Sequence, residues 1–404
     1  MPLPIETLAP VLSSPSAPTD IPPKAFRHGA PLHIVHTEAS LGWGGQEIRI
    51  LNEAAGLMAR GHHVTLLCPP QAAIFEAAHR RGVPAVPLPF KRKSAHSLLA
   101  VRHWLQAHQP DVINTHSSTD SWLVALANAL PGLRVPVVRT RHISTPVKAD
   151  PLSRWLYGKA ACRIVTTGES IRQDLLRHLR LSSEHIVSIP TGVDLDRFDR
   201  RRTLECNTVR RQLGIPAEKK VIGIVATLRS WKGHDYLLDA LPAVFAAVPD
   251  AHLVIVGDGP RRQHIEQRIR SLPQPERVSL LGQREDVADL LGAMDLFVLP
   301  SYGNEGVPQA LMQAMAMGLA VVSTPVGAIE ELVQDNETGC LVPPRNADAL
   351  ANGIIRLLRN PVLRHALGLA GRSAVAARFS QETMLDGMEA VFRLAAAAKK
   401  ENDA

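Results

Sequence analysis

Short apolar runs alternate with longer amphipathic stretches along nearly the whole chain. The runs are almost continuous in Val, Ile and Leu, which is typical of strands buried on both faces of a parallel sheet. The stretches between them repeat apolar residues three or four positions apart, which predicts helices packed over that sheet. The predicted strands are Leu32–Thr37, Val64–Cys68, Val83–Leu88, Asp111–Thr115, Val135–Arg139, Arg163–Thr167, His185–Ile189, Val221–Ala226, Leu253–Val256, Val278–Leu281, Leu296–Leu299 and Ala320–Ser323. The predicted helices include Gln46–Ala59, Ser94–Ala107, Ser170–Leu179, Tyr236–Val248, Arg261–Arg270, Pro308–Met317 and Ala347–Leu358.

The alternation of strands and helices starts afresh near Val221, which divides the chain into two α/β halves, each similar to a Rossmann domain. The best boundary is the segment 190–202, where a Pro-Thr-Gly-Val-Asp turn precedes a run of charged residues. The expected domains are residues 29–199 and residues 200–378. Residues 1–28, rich in Pro, Ser and Ala, predict a disordered tail. Residues 379–404 predict a helix that packs back on the N-terminal domain.

The composition is that of a globular protein and excludes several classes. Of the 404 residues, 45% are hydrophobic and 21% are charged, which excludes global disorder. No apolar run is long enough for a transmembrane helix, and residues 1–28 lack the pattern of a secretory signal. The four cysteines lie far apart, which argues against a disulfide scaffold or a structural zinc site. We expect a cytoplasmic protein whose net charge of +7 favours nucleotide phosphates or an acidic membrane surface as partners.

Two motifs follow predicted strands of the N-terminal half. Gly44 and Gly45 come shortly after the first strand, where glycines let the backbone turn sharply and approach a ligand. The spacing is not GxGxxG, which disfavours a simple NAD enzyme, and the alternative is an ordinary turn. His116 follows the fourth strand, at the edge where open parallel sheets bind their ligands. Its imidazole can share a proton or bind a sugar hydroxyl, and the alternative is that it caps the next helix.

Two further motifs follow strands of the C-terminal half. Arg229 and Lys232 predict a phosphate clamp, because Arg offers a planar fork of donors and Lys a point charge. The alternative, a solvated loop, does not account for Trp231 between the two charges. Gly257 begins a Gly-Asp-Gly-Pro turn that we expect to be mainly structural, with Pro260 at the first position of a helix.

The most informative segment follows the strand that ends at Leu299. Glu305 precedes a predicted helix, and Gln313 lies inside it. A carboxylate can accept two hydroxyl hydrogen bonds, which suits a sugar, while the backbone N–H groups of Gly306 and Val307 can hold an anionic leaving group. Eight positions at about 1.5 Å each separate the two polar side chains by roughly 10 Å, about the span from a transferred sugar to the ribose of a nucleotide diphosphate. The alternative is that Glu305 is only an acidic residue at a helix N-terminus.

Taken in order, these segments resemble the family 4 retaining glycosyltransferases, whose GT-B fold has two Rossmann-like domains facing across a cleft. The resemblance covers about residues 30–350, and the segment after Glu305 is similar to transferases of bacterial lipopolysaccharide core and related glycans. Two departures stand out: Gln313 replaces the family's usual second Glu, and Thr227 stands at its usual Arg position, so that Arg229 would act from a shifted point. The matching segments are Leu41–Glu47, Asp111–Ser117, Thr191–Asp194 with Phe198, Leu228–Gly233, Gly257–Pro260, Gly282 with Ala293–Ser301, Glu305–Gln313, and Gly327–Val342 with Glu331, Gly339 and Pro343.

The resemblance implies a role for each matching residue. Arg229 and Lys232 would neutralise the donor diphosphate, Glu305 would bind the donor sugar, and His116 would lie near the reacting sugar; these four form the catalytic set. Gln313 would bind the ribose. The implied donor-binding residues are Gly44, Gly45, Thr227, Arg229, Lys232, Gly257, Arg284, Val287, Glu305, Gly306, Val307 and Gln313, with Arg284 and Val287 bordering the base.

Transfer from a nucleotide sugar requires stabilisation of the negative charge that develops on the leaving diphosphate. Two cations and a helix N-terminus can supply it electrostatically, and no Asp-x-Asp metal motif follows a strand, because Asp194-Leu195-Asp196 lies in the boundary turn. We therefore expect transfer without a metal or other cofactor. Retention, and uridine as the family's commonest base, are implied by the resemblance alone, with front-face attack in which the leaving phosphate helps to deprotonate the acceptor.

The acceptor is expected against the N-terminal half. Cationic loops at 91–93 and 139–142 suit a phosphorylated glycolipid or an acidic membrane surface, and the alternative is solubilising surface charge. The acceptor-binding candidates are Gln46, Glu47, Arg139, Arg141 and His142. Two other functions stay open at this point: a nucleotide-sugar epimerase of the same fold, and a non-catalytic binder of anionic ligands. Nucleic acid is not expected, because neither clustered aromatics nor a helix-turn-helix pattern accompanies the charge.

Overall fold

The computed structural model describes residues 29–90, 92–143, 145–303 and 305–403, with side chains up to residue 398. The tail predicted at residues 1–28 lies outside these ranges, as do Lys91 and Asn304. Within them the chain forms two all-parallel sheets covered by helices, as the strand–helix alternation predicts. No helix in this part of the chain is both long and apolar enough to cross a bilayer.

The N-terminal sheet has seven parallel strands in the order β3-β2-β1-β4-β5-β6-β7. Neighbouring residues of its central strand, Ile34 and Val35, belong to different hydrophobic clusters, so both faces of the sheet are covered. The strands are β1 (His33–Thr37), β2 (His63–Cys68), β3 (Ala85–Pro87), β4 (Val112–Thr115), β5 (Val137–Arg141), β6 (Arg163–Thr166) and β7 (Ile186–Ser188). The helices between them are α1 (Gly45–Ala59), α2 (Ala73–Arg80), α3 (Ala95–His108), α4 (Ser118–Ala129), α5 (Pro151–Trp155) and α6 (Glu169–Leu179).

The C-terminal sheet has six parallel strands in the order β10-β9-β8-β11-β12-β13, and one large apolar cluster surrounds it. Its strands are β8 (Lys220–Val225), β9 (Ala251–Val256), β10 (Val278–Leu280), β11 (Leu296–Leu299), β12 (Ala320–Ser323) and β13 (Cys340–Leu341). The helices of this half are α7 (Cys206–Gln212), α8 (His234–Ala247), α9 (Arg262–Arg270), α10 (Val287–Gly292), α11 (Gln309–Ala316), α12 (Ala347–Arg359), α13 (Pro361–Arg378) and α14 (Gln381–Asp403).

The last helix, α14, returns to the N-terminal sheet. Val193 exchanges backbone hydrogen bonds with Phe379 and Gln381 as the two connections pass each other. A Cβ on Gly56 of α1 would lie 2.4 Å from Leu385, so the absence of a side chain lets α1 and α14 pack closely. Phe392 and other apolar residues of α14 belong to a core cluster of the N-terminal domain. The C-terminal end of the chain therefore completes the fold of the N-terminal half.

Three details differ from the sequence prediction. The short edge strand β13 follows a connection with little apolar pattern and was not predicted. Strand β3 has only three residues, because the Pro residues on either side limit its ladder. Pro260 was expected at the first position of a helix, but α9 begins at Arg262, since the Gly-Asp-Gly-Pro segment continues as a turn.

Each sheet reverses its strand order at one point, between β1 and β4 in the first and between β8 and β11 in the second. Connections leave such a point in opposite directions, which opens a crevice at the carboxyl ends of the two strands. The sequence motifs that contain His116, Lys232 and Glu305 all follow these four strands. The fold thus places them at crevices.

Candidate functional site

A buried ion pair lies beyond the ends of β8 and β11. Lys232 Nζ donates to both carboxylate oxygens of Glu305, at 2.6 and 2.9 Å. Ser301 Oγ donates to the same carboxylate at 2.6 Å. Glu305 is only 4% exposed, so its charge is held in place by these three hydrogen bonds. A Lys ammonium has three donors, so one remains for a ligand.

Glycines allow three loops to meet around this pair. Gly233 has φ +77°, and a Cβ there would lie 1.9 Å from the carbonyl oxygen of Pro300. Gly327 has φ +60°, and a Cβ there would lie 2.1 Å from the carbonyl oxygen of Glu305. Both conformations favour glycine, and neither site has room for a side chain. The backbone itself therefore fixes the position of the ion pair.

The N-terminus of α11 faces the same crevice. Pro308 is its N-cap residue, and Gly306 and Val307 come directly before it. The first N–H groups of a helix have no intrahelical acceptor and carry a partial positive charge. Arg229 is exposed, with its guanidinium 5.1 Å from the centre of the Trp231 ring. Arg229, Lys232 and the N-terminus of α11 therefore all lie beyond the carboxyl ends of β8 and β11, where positive charge suits a diphosphate.

The other donor-side candidates lie along the same edge of the sheet or beyond it. Gly257 has φ +137°, and a Cβ there would lie 2.0 Å from the carbonyl oxygen of Ala226, so this turn needs glycine for packing. Gln313 is partly exposed on α11. The Arg284 guanidinium is bound by Asp286. The two remaining candidates are Thr227, whose carbonyl accepts from the Arg229 backbone, and Val287, the first residue of α10.

The two domains touch across the cleft at the donor site. Gln309 Nε2 donates to the carbonyl oxygen of Gly45 at 3.1 Å. The Glu331 carboxylate accepts the backbone N–H groups of Glu169 and Ser170, at 2.8 and 2.9 Å, and so caps α6 of the other domain. A Cβ on Gly306 would lie 2.7 Å from the carbonyl oxygen of His142. The cleft is therefore narrow at this point. Gly45 of the N-terminal domain contacts the C-terminal domain, and Gly306 of the C-terminal domain lies against the N-terminal domain. Both are donor-site candidates.

Three imidazoles form a hydrogen-bonded chain from the core of the N-terminal domain towards the cleft. His36 Nδ1 lies 2.9 Å from His116 Nε2, and His116 Nδ1 lies 2.9 Å from His142 Nε2. His36 and His116 are buried, and His142 is partly exposed. Both ring nitrogens of His116 are already engaged. This differs from the expectation that His116 itself binds a sugar hydroxyl, and it places His142 at the outer end of the chain.

All three imidazoles are neutral near neutral pH. Burial lowers the pKa of His36 to about 3, and the positive charge of Arg49 adds to the effect. Burial also lowers the pKa of His116 and His142 well below their usual range, with neighbouring positive groups contributing. A neutral imidazole has one N–H and one lone pair. The hydrogen bonds of the chain must therefore all run in the same direction.

A buried ion pair on α1 lies behind His36. Arg49 Nη1 donates to the carbonyl oxygen of Ile189 at 2.9 Å, and Arg49 Nε lies 3.6 Å from Glu53 Oε2. Glu53 Oε1 accepts from Asn114 at 3.3 Å and lies 3.8 Å from His36 Nε2. Burial raises the pKa of Glu53 to about 7, although the Arg49 charge opposes that rise.

A second buried carboxylate follows β1. Glu38 accepts from the Ser40 backbone at 2.6 Å and from the Gln46 side chain. Burial raises the pKa of Glu38 to about 8, and the negative charges of Asp120 and Glu47 add to the effect. Burial also raises the pKa of Glu47, and the Arg229 charge in the other domain opposes it. Two acceptor candidates, Gln46 and Glu47, therefore lie beside a cluster of buried carboxylates.

A cationic cluster surrounds Tyr157 on the N-terminal side of the cleft. Arg139 lies with its guanidinium 4.7 Å from the Tyr157 ring centre, and Arg141 donates to the Tyr157 hydroxyl at 3.1 Å. Burial raises the pKa of Tyr157, but the two guanidinium charges outweigh burial and lower it overall. Burial lowers the pKa of Lys93, and the Arg139 charge adds to the effect. Within the described ranges, no carboxylate lies within 4 Å of these three cations. Arg139 is buried, whereas Arg141 is partly exposed and Lys93 is exposed, so an anion can approach the cluster at these two side chains.

Sequence reasoning missed three residues that the site depends on: His36, Glu53 and Glu38. Glu331 was named only as part of a matching segment, without a role. The His-Thr-Glu triplet was visible, because its polar residues end a buried strand, where the other motifs also begin. Glu53 gave no such signal, since Arg49 and Glu53 are spaced like an exposed helical ion pair.

The structure offers no clear metal site: among residues in the described ranges, no group of three or more His, Cys, Asp or Glu side chains could hold an ion.

Comparisons with known proteins identify the family of the chain. The sequence model for Glycosyltransferase Family 4 matches residues 43–197, and the model for glycosyl transferases group 1 matches residues 219–360. The phosphatidyl-myo-inositol mannosyltransferase of Mycobacterium tuberculosis is 32% identical over 355 residues, which are 82% of this chain and 88% of that protein.

Solved structures show the same fold. A glycosyltransferase from Rickettsia africae superimposes with a TM-score of 0.80 at 21% identity, over 90% of this chain and 98% of that one. HepE of Anabaena, in complex with UDP-glucose, superimposes with a TM-score of 0.76 at 22% identity, over 88% and 98% of the two chains. The GT-B fold expected from the resemblance is confirmed. The chain is a hexosyltransferase-type enzyme and belongs to glycosyltransferase family 4.

Proposed function

We propose that this enzyme transfers a hexose, with retention and without a metal, from a uridine-diphosphate sugar to an anionic glycolipid or glycan at the inner face of the cell membrane. The proposed pathway is the synthesis of lipopolysaccharide or a related surface polysaccharide. The observation that carries the proposal is the Lys232–Glu305 pair, held beside the N-terminus of α11.

The donor half of the proposal rests on the positive charge beyond β8 and β11. The remaining donor of Lys232, the Arg229 guanidinium and the first N–H groups of α11 would receive the diphosphate. Glu305 would bind a hydroxyl of the sugar through a carboxylate that Ser301 and Lys232 already orient. Gln313, eight residues further on, would reach the ribose. A protein of the same fold, HepE, binds UDP-glucose, which supports a uridine donor.

The acceptor half rests on the cluster around Tyr157. Arg139, Arg141 and Lys93 have no carboxylate partner within 4 Å among the described residues, and Arg139 donates to the carbonyl oxygen of Ser117, next to the histidine chain. An anionic group bound there would lie on the N-terminal wall of the cleft. The relative from Mycobacterium tuberculosis acts on phosphatidyl-myo-inositol by its name, which supports a phosphorylated lipid as acceptor.

The reaction breaks the bond between the sugar's anomeric carbon and the oxygen of the β-phosphate, and forms a bond from that carbon to an acceptor hydroxyl oxygen. The cations and the helix N-terminus stabilise the negative charge that develops on the diphosphate. In front-face transfer the leaving phosphate oxygen takes the acceptor's proton, so no protein nucleophile is needed. The contacts of Gln309 and Glu331 across the cleft help to exclude water, which limits hydrolysis of the donor.

Contact with the membrane is proposed for the N-terminal domain. Five large apolar side chains are exposed between residues 99 and 152, on the domain that also carries the cationic cluster. They are Leu99, Leu126, Leu130, Ile143 and Leu152. Apolar side chains beside basic groups suit an anionic bilayer surface. Sedimentation with vesicles of anionic lipid, compared with zwitterionic vesicles, tests this contact; equal binding to both would contradict it.

The transfer itself is tested with the purified full-length chain. A panel of nucleotide sugars is first screened for thermal stabilisation, because a ligand that binds only the folded state raises the melting temperature. The stabilising donor is then incubated with phosphorylated and dephosphorylated glycolipid acceptors, with and without EDTA, and the anomeric configuration of the product is determined by NMR. We expect an α-linked product from an α-linked donor, unaffected by EDTA and formed faster with the phosphorylated acceptor. An inverted product, or activity abolished by EDTA, would overturn the proposal.

The epimerase and binding-protein hypotheses are not favoured, because the curated relative and both family models are transferases. Incubation of the donor without acceptor separates the first hypothesis from transfer, since an epimerase would convert the donor sugar and a transferase would leave it largely intact.

A further inference from the structure

The histidine chain ends, inside the N-terminal domain, at three polar atoms that lack a hydrogen bond among the described residues. His36 Nε2, Arg49 Nε and Glu53 Oε2 are buried and have no hydrogen bond within the described residues. Glu53 lies 3.8 Å from His36 and 3.6 Å from Arg49, within ion-pair range. Buried polar groups are normally hydrogen-bonded. The gain or loss of one proton on Glu53 therefore changes which hydrogen bonds these side chains can form.

The direction of the hydrogen bonds depends on that proton. With Glu53 ionised, each imidazole carries its proton on Nε2: His36 points its N–H at Glu53, His116 donates to His36, and His142 donates to His116. The outer nitrogen, Nδ1 of His142, then has a lone pair and accepts hydrogen bonds. With Glu53 protonated, its O–H donates to His36 Nε2 once the two side chains close from 3.8 Å to hydrogen-bond distance. All three imidazole protons then lie on Nδ1, and the outer nitrogen is a donor.

One proton thus converts one arrangement into the other. A proton taken up at Nδ1 of His142 lets His142 give its Nε2 proton to His116. His116 then gives its Nε2 proton to His36, and His36 gives its own to the Glu53 carboxylate. The three imidazoles are neutral before and after, and Glu53 changes from carboxylate to carboxylic acid. No redox partner or further reactant is involved.

The position of the chain connects this change to the cleft. Exposure increases from His36 to His142, and the backbone carbonyl of His142 meets Gly306 of the donor-binding domain. We propose that Glu53 and His36 are positioning residues that act through His116 and set, at His142, whether the enzyme accepts or donates a hydrogen bond to a substrate hydroxyl. The active arrangement is the one in which Glu53 is ionised and His142 accepts. This inference rests on the proposed transfer function and adds residues that lie outside the substrate site.

Several charged groups bear on the titration of Glu53 and of the chain. Arg49 on α1 and Asn114 on β4 favour the ionised carboxylate. Burial lowers the pKa of His142 and so keeps it neutral, and the charges of Arg49 and of Arg139 and Arg141 on the neighbouring strand β5 add to the effect. The remaining groups are the Asp120 carboxylate of α4, which accepts the backbone N–H of His116, and Glu38 at the end of β1, which lies near Asp120. Burial raises the pKa of Glu53 to about 7, which places the change in the range where enzymes are assayed.

The experiment compares Glu53→Gln with a matched control, Glu389→Gln. Glu389 is also a buried carboxylate with Arg and His partners, since it accepts from Arg393 at 2.8 Å and lies 3.3 Å from His62, but it is not joined to the histidine chain. The rate constant kcat and the KM for the donor are measured with the full-length protein from pH 6 to pH 8. The melting temperature of each variant shows whether it is folded.

For the wild type and Glu389→Gln we expect kcat to rise about tenfold between pH 6 and pH 8, following the ionised fraction of a group with a pKa near 7. In Glu53→Gln the rise is lost, so that kcat changes less than about twofold, while the donor KM stays within about twofold of the wild type. A second variant, His36→Asn, keeps a hydrogen-bonding atom near Nδ1 for His116 but cannot reach Glu53, and it should lose the same pH dependence.

The outcomes are distinguishable. If the wild type transfers sugar and Glu53→Gln or His36→Asn keeps the full pH-dependent rise, the positioning role is wrong and the proposed function stands. If the wild type forms no product with any donor and acceptor, the proposed function itself is wrong. If Glu53→Gln fails to fold, His36→Asn decides the question. A loss of pH dependence in Glu389→Gln as well would assign the effect to general destabilisation and overturn the proposal.

Discussion

Replacing Glu305 by Gln tests the donor site with the smallest change of shape. The amide keeps the volume of the side chain and can still accept the hydrogen bond from Ser301, but it removes the negative charge that Lys232 contacts at 2.6 and 2.9 Å. Breaking a fully buried ion pair costs about 3–5 kcal/mol. The Lys232 side chain is 19% exposed, so water relieves part of this cost. We expect the free energy of unfolding to fall by about 2–3 kcal/mol.

The variant should lose far more activity than stability. A loss of about 2–3 kcal/mol lowers the melting temperature of a domain of this size by roughly 5–10 °C, which leaves the protein folded at assay temperature. Losing one preorganised polar group at a transition state typically costs about 10²–10³ in kcat. The assay measures kcat for sugar transfer at saturating donor, alongside the melting temperature of the same preparation.

A matched control separates the two effects. Asp295 directly precedes β11, at the amino edge of the sheet, whereas Glu305 lies beyond the carboxyl edge. The Asp295 carboxylate pairs with Arg210 at 2.8 Å. Asp295→Asn should lower the melting temperature by a similar amount and leave kcat near that of the wild type. If Glu305→Gln kept more than half of the wild-type kcat, the carboxylate would have only a structural role, and the reasoning would be refuted.

Two further predictions concern the domain contact and the cluster of buried carboxylates. Glu331→Ala removes the cap of α6 across the cleft. This should weaken the association of the two domains by about 0.5–2 kcal/mol and raise the donor KM. Asp150→Ala removes a cap of α5 within one domain and should not change the KM; equal effects of the two variants would contradict a role in closure. The folded protein binds a proton on Glu38 more tightly than the unfolded chain, because burial raises the pKa of Glu38 from 4.5 to about 8. Its contribution to stability is therefore complete below pH 4.5 and is lost as the pH rises towards 8. The melting temperature of Glu38→Gln relative to the wild type should thus increase between pH 5 and pH 8.5, and a constant difference would show that Glu38 does not titrate in this range.

The sheet edges that carry the donor site could be predicted from sequence for a physical reason. Strands buried on both faces are continuously apolar, so their ends are visible, and polar residues directly after them must lie at the carboxyl edge of the sheet. Lys232 and Glu305 were found in this way, although their direct contact was not, because it depends on β8 and β11 being neighbours in the sheet.

The histidine chain could not be predicted, because it depends on strand order. His36 lies near the end of β1, and His116 and His142 directly follow β4 and β5; these strands are adjacent only because the sheet has the order β1-β4-β5. The burial of Glu53 was equally hidden. The face of α1 that carries it is covered by α14, which comes from the other end of the chain. Contacts between elements far apart in sequence leave no periodic signal in either segment.

The central claim is that a diphosphate sugar binds between the domains, against Lys232, Arg229 and the N-terminus of α11. A crystal structure of the full-length protein with an unreactive analogue of the stabilising nucleotide sugar tests this most directly. The account predicts that phosphate oxygens lie within hydrogen-bond distance of Lys232 Nζ and of the first N–H groups of α11, with a sugar hydroxyl on Glu305. A ligand bound outside the cleft, or one whose sugar points away from Glu305, would contradict it.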